Sequence, residues 1–149
     1  MGYKRKARIV FLAREADCPV MAQEFCRCTG NEWIEARAAS LDAAPLAPQV
    51  IEVMAESGCP TTASGAEPFT DALLGWADLV VTMDAAAERM CASVPQGVQK
   101  RHYPFDVPGS VGRDSDLRRD AYRTLRDGIR ARIGGMAGGI RLLQRAAEE

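Results

Sequence analysis

The sequence predicts a three-layer α/β fold: a parallel sheet with helices on both faces. Three observations predict it. Ile9-Val10-Phe11-Leu12 and Leu79-Val80-Val81-Thr82-Met83 are short apolar runs rich in β-branched residues, as expected of strands buried on both faces. A helix signal, not a hairpin turn, follows each run, so the strands are joined by crossovers and lie parallel. The last third of the chain then repeats Leu117, Ala121, Leu125, Ile129, Ile133, Met136, Ile140 and Leu143 at spacings of three and four, a long amphipathic helix suited to covering one face. The 149 residues read as a single domain, 1–149, with a core at about 7–133 and a C-terminal helix running to the end.

After the first strand, Ala13-Arg14-Glu15-Ala16-Asp17 reads as a five-residue loop and Pro19 opens a helix at its first position, where the missing N–H costs nothing. Val20, Met21, Phe25 and Cys28 share a face of that helix, which ends at Gly30-Asn31. Trp33 to Ser40 fits a second strand, and Pro48 starts a helix through Val50, Ile51, Val53 and Met54 that stops at Gly58. Cys59 to Pro68 reads as loop, Thr70 to Trp76 as a short helical turn. Leu79 to Met83 is the clearest strand, Ala85 to Cys91 a short helix, and Val98 to Tyr103 a fourth strand. Pro104 to Gly112 is irregular, and the long helix begins at Asp114 or Ser115. Gly134, Gly135, Gly138 and Gly139 weaken it by about 1 kcal/mol each.

Net charge is −1, which gives no bulk electrostatic case for binding nucleic acid or an acidic membrane surface. No apolar run is long enough for a signal peptide or a membrane span. Five cysteines, at 18, 26, 28, 59 and 91, form an odd set without a C-x-x-C pair, so neither a disulfide framework nor a zinc ribbon is expected, and a reducing cytoplasm is the simpler setting. Cys26-Arg27-Cys28 reads as packing plus one edge residue. His102 is the only histidine, which excludes a two-histidine metal site, and it reads as a packing residue at a strand end. Trp33 and Trp76 are expected in or at the edge of the core. The arginines of the last helix are expected on its solvated face. No cofactor is implied.

In a parallel sheet the ligand site lies beyond the carboxyl ends of the strands, here at the loop after Leu12. A strand, a short loop and a helix N-terminus make an anion cradle, because loop amides and the helix dipole point at the same spot. The residues of this loop oppose that use. It has no glycine for close backbone approach, and it carries Glu15 and Asp17.

The order of segments resembles the low-molecular-weight protein tyrosine phosphatases and the related thioredoxin-coupled arsenate reductases. The resemblance runs over about residues 7 to 133 and includes Arg8-Ile9-Val10-Phe11-Leu12 with Met21-Ala22-Gln23-Glu24, Ala38-Ala39-Ser40-Leu41, Ile51-Glu52-Val53-Met54, Trp76-Ala77-Asp78-Leu79-Val80-Val81-Thr82-Met83, His102-Tyr103-Pro104-Phe105 and Arg126-Asp127-Gly128-Ile129. It implies a phosphotyrosine phosphatase I-like fold with four parallel strands in the order 2-1-3-4. It also implies a nucleophilic Cys directly after the first strand with an Arg six positions later, the pair that attacks and holds the oxyanion. Ala13 stands at the place of that Cys and Pro19 at the place of the Arg. Cys28-Thr29-Gly30-Asn31 imitates the start of the motif, but position 34 is Ile. Cys18 matches a second Cys of the signature loop, Asp106 lies one residue out of register with the family's Asp-Pro acid, and the two relay thiols of the reductase branch correspond to Asp84 and Cys91.

The degenerate signature loop, Ala13, Arg14, Glu15, Ala16, Asp17 and Cys18, therefore implies a homologue without phosphatase or reductase chemistry that binds an unknown protein or small-molecule ligand at that loop. Two enzymatic alternatives stay open. One is a thiol redox enzyme using Cys18, whose thiolate the helix dipole would favour, together with Cys91. The other is a divergent but working tyrosine phosphatase, for which the sequence offers no nucleophile at the expected place; across the alternatives the candidate catalytic residues are Cys18, Cys91 and Asp106. A metal site at Glu15, Asp17, Asp84 and Asp106 is weighed against the plainer reading of solvated loop carboxylates, and no metal is expected.

Overall fold

The computed structural model describes residues 5–62, 64–108 and 115–148. Asp114 and the basic stretch before Arg5 lie outside the described residues. In chain order the elements are β1 (Ala7–Ala13), α1 (Asp17–Gly30), β2 (Ile34–Ser40), α2 (Pro48–Glu56), β3 (Glu67–Pro68), α3 (Asp71–Trp76), β4 (Leu79–Thr82), α4 (Ala85–Met90), β5 (Gln99–His102) and α5 (Ser115–Glu148). All pairings are parallel, in the order β3-β2-β1-β4-β5. The expected 2-1-3-4 order survives as β2-β1-β4-β5. The correction is a fifth, two-residue edge strand inside the stretch expected to be loop. Proline is tolerated at an edge, where its missing donor faces no partner, and Pro68 sits opposite Ser40.

Strand alternation divides the core. Ile9, Phe11 and Val81 pack with Met21, Phe25, Val53, Met54, Ile129 and Ile133 beneath α1, α2 and α5. Val10, Leu12 and Val80 pack on the other face with Leu73, Leu74, Ala87 and Cys91 from α3, α4 and the residue after it. The period of two in β1 therefore feeds both layers.

Several local expectations are corrected. The first helix starts at Asp17, two residues before Pro19, so the β1–α1 connection is only Arg14 to Ala16. An acidic residue in a helix's first turn is favoured by the dipole, and Asp17 occupies that turn. On α5 the buried stripe is Tyr122, Leu125, Ile129, Ile133, Met136 and Ala137, whereas Leu117 and Leu143 are exposed. The helix outruns the sheet it covers. Its arginines are partnered as well as solvated: Arg119 pairs with Glu52, Arg123 and Arg126 with Glu56, and Arg126 also donates to the Val53 carbonyl. Arg141 stacks 4.4 Å from the Trp33 ring centre, and the Trp33 indole N–H donates to the Ala137 carbonyl at 2.9 Å, so Trp33 fastens the far end of α5.

The cysteine expectation is also corrected. Cys28 and Cys59 form a disulfide, Cα atoms 6.3 Å apart, while Cys18, Cys26 and Cys91 are free and buried. Neither spacing nor count revealed the bond, because α1 and the turn after α2 meet only once the helices pack on the sheet. The reducing-compartment reading loses the support it drew from unpaired cysteines. Among the described residues, no helix is long and apolar enough to cross a membrane.

Candidate functional site

A cleft of about 620 Å³ opens at the carboxyl ends of the strands. β1 supplies Ala13 and its connection Arg14 and Glu15; the segment after β2 supplies Ala44, Pro45 and Ala47. Met83 and Asp84 follow β4, Phe105 to Pro108 follow β5, and α5 adds Arg118 and Tyr122. Together with Asp17 the described lining carries four carboxylates, at Glu15, Asp17, Asp84 and Asp106, against the two guanidiniums of Arg14 and Arg118.

Two of these carboxylates hold the fold together. Asp17, expected as a solvated loop residue, is buried; it accepts from the Ala47 amide at 3.1 Å and from the Tyr122 hydroxyl at 3.0 Å. The start of α1, the approach to α2 and the face of α5 thus meet on one side chain. Burial and the neighbouring Asp17 push the Tyr122 phenol up to about 12, so it serves as a donor. Asp84 caps α4 by accepting from the Ala87 amide at 2.8 Å, and its other oxygen accepts from the Arg14 amide at 2.8 Å. That amide is the first beyond β1, where an oxyanion cradle needs a free donor. Glu15 and Asp106 are exposed.

Cys18 lies in the first turn of α1 and is buried. Its thiol is pushed well above the ordinary range, first by burial and then by Asp17, Asp84, Glu15 and Asp106. The helix dipole contributes less than one pKa unit in the other direction. Cys91 packs in the cluster on the opposite face of the sheet from Cys18, and burial raises its thiol too.

The profile of the family described as low molecular weight phosphotyrosine protein phosphatase matches residues 13–136. The chain belongs to this family. Its relatives include an arsenate reductase of Shouchella clausii, 31% identical over 130 residues that cover 86% of this chain and 93% of the relative. An arsenate reductase of Halalkalibacterium halodurans is 29% identical over 104 residues, covering 70% of this chain and 74% of the relative. Among solved structures, a thioredoxin-dependent arsenate reductase of Corynebacterium glutamicum superposes with a TM-score of 0.73 at 20% identity, over 95% of this chain and 65% of that one. A low molecular weight protein tyrosine phosphatase from Bacillus subtilis gives 0.67 at 21% identity, over 90% of this chain and 97% of that one. At these identities the structural likeness speaks for the fold.

Within that phosphatase-family fold, the cleft brings together Ala13, Arg14, Glu15, Asp17, Cys18, Asp84 and Asp106, and leaves out Ala16, buried just before α1, and Cys91. Among the described residues, no group of three His, Cys, Asp or Glu side chains is arranged to hold a metal. His102, expected to pack at a strand end, is instead part-exposed: its Nδ1 lies 2.7 Å from the Thr82 hydroxyl and 3.5 Å from Glu88. Arg118 and Tyr122 are the cleft residues that sequence reading missed. Tyr122 falls at helical spacing before Leu125 and Ile129, so reading aromatic residues into the α5 stripe would have placed it inward.

Proposed function

We propose that this member of the phosphatase family binds a ligand in its cleft without phosphoryl transfer or arsenate reduction, as a binding or regulatory module. The observation that carries the reading is the closure of the β1–α1 connection. Ala13 ends the strand, three residues reach the helix, and the Arg14 amide is already donated to Asp84. A thiolate nucleophile and an oriented guanidinium have no residue at their expected places, and oxyanion stabilisation of that kind is worth several kcal/mol. Against a redox pairing of Cys18 with Cys91 stand the burial of both and their separation by the sheet.

The lining indicates the ligand class. The lining carries more acid than base, four carboxylates against Arg14 and Arg118. Asp17 and Asp84 already accept hydrogen bonds. The exposed Glu15 and Asp106, with Phe105, Val107, Pro108 and Pro45, are therefore the groups that suit a cation carried on an apolar stem, such as an arginine or lysine side chain of a peptide or a small amine. Phosphate is the charge such a lining repels. Calorimetric titration with inorganic phosphate, arsenate and an arginine-bearing peptide tests this, alongside an aryl phosphate hydrolysis assay. Expected are no measurable phosphate or arsenate binding, hydrolysis at the buffer rate, and heat only with the peptide. Turnover of the aryl phosphate, or phosphate affinity at millimolar level or better, would overturn it. Introducing a cysteine with Ala13→Cys is expected to leave the protein inactive, since the Arg remains absent and the Arg14 amide stays donated to Asp84.

A further inference from the structure

The disulfide lies away from the cleft, and its two sulfurs are unequally placed. Cys28 is exposed near the end of α1, whereas Cys59, just past the turn that ends α2, is 3% exposed. The chain around Cys59 is held independently of the bond. Buried Glu24 accepts from the Thr62 amide at 2.6 Å and from its hydroxyl, and Arg27 donates to the Pro60 carbonyl at 3.0 Å. Cys59 Sγ also lies 3.1 Å from the Glu24 carbonyl oxygen.

We propose that Cys28–Cys59 is a thiol-exchange site, entered by a low-molecular-weight thiol at Cys28 with Cys59 as the leaving group. The soluble thiolate attacks Sγ of the exposed residue Cys28; the Cys28–Cys59 bond breaks, and a mixed disulfide forms on Cys28. Cys59 leaves as thiolate, takes a proton from water, and its S–H then donates to the Glu24 carbonyl already within reach. A second soluble thiolate attacks the outer sulfur of the mixed disulfide, releasing the soluble disulfide and Cys28 thiolate. Two soluble thiols are oxidised and one cystine is reduced. Thiol–disulfide exchange depends on which sulfur can be reached, and here one is open and the other covered. Arg27, adjacent to Cys28 and bonded to Pro60, places a cation beside the exchanging pair, which favours thiolate there. Because the Glu24 and Arg27 contacts remain, exchange proceeds without unfolding the helix end.

The test uses glutathione on the full chain and on the Cys28→Ser and Cys59→Ser variants, with peptide mapping by mass spectrometry. Oxidised glutathione is expected to add once to the Cys59→Ser variant, at Cys28, and not to Cys59 in the Cys28→Ser variant. In the unaltered protein, brief reduced glutathione followed by alkylation should trap the mixed disulfide on Cys28, with circular dichroism unchanged. That measurement stands even if a variant fails to fold. An adduct on Cys59, none on Cys28, or labelling spread over Cys18, Cys26 and Cys91 would overturn the proposal. Neither sulfur lines the cleft, so the outcome is independent of what the cleft binds.

Discussion

At its N-terminal end α1 presents Asp17 and the free Cys18, and in its second half Glu24, Arg27 and the disulfide-bonded Cys28: a carboxylate and a sulfur in each. The first pair is buried together, and the carboxylate raises the thiol's pKa while satisfying Ala47 and Tyr122. In the second, the carboxylate is occupied by Thr62 and a neighbouring cation, and Cys28 is an exposed residue. Position at a helix end does not make a cysteine reactive. Exposure and the sign of the adjacent charge outweigh a dipole contribution of about 0.3 to 1 kcal/mol. Cys26, two residues before Cys28 but wholly buried, has its thiol pushed up to about 12 by burial alone.

The largest effect that could break this comparison is loss of the cross-link. Its sequence separation is 31 residues, for which the chain-entropy account gives about 3 to 4 kcal/mol. Reduction, or replacement of both cysteines by serine, should lower the urea midpoint accordingly without changing helix content. No shift would mean that Glu24 and Arg27 hold that end unaided.

At the opposite end, Asp17→Ala should cost about 2 to 3 kcal/mol, because it leaves a part-buried amide and a buried phenol without an acceptor. Combining it with Tyr122→Phe should cost less than the sum of the two, since both remove the same bond. Strict additivity in denaturant unfolding would show that Asp17 does not tie α5 to α1.

The smallest effect sets the background. Glu56 on α2, paired with Arg123 and Arg126 of α5, has its carboxyl lowered from 4.5 to about 2, chiefly by its hydrogen bond from Arg123. A lowered carboxyl contributes its stability fully above 4.5 and loses it as pH falls toward 2. The pair is exposed, so the loss should be small and reduced by salt. Thermal melts of the protein and of Glu56→Gln should therefore converge between those pH values. Equal acid sensitivity in both would locate the response away from Glu56.

Much of the fold was legible because its signals are local. The β1 and β4 runs, Pro48 before α2 and the α5 stripe each depend on residues within one element, and their parallel order follows from crossover geometry. The position of the cleft beyond the first strand was legible in the same way. Asp17 was misjudged because a carboxylate near a loop is ordinarily solvated, and its partners are 30 and 105 residues away. The arginines of α5 were assigned to solvent because their partners belong to α2, which only packing brings alongside.

The sequence by itself determined the alternation of strands and helices, the face each helix buries and the residues at the mouth of the sheet, since hydrophobic periodicity and turn chemistry act over a few residues. Only the tertiary structure decided which carboxylates are occupied and which cysteines are paired or buried. It closes the Arg14 amide with Asp84, places Cys18 and Cys91 on opposite sides of the sheet, and joins Cys28 to Cys59. Burial, pairing and cross-linking depend on distances between residues far apart in the chain, and those distances exist only after the helices have packed.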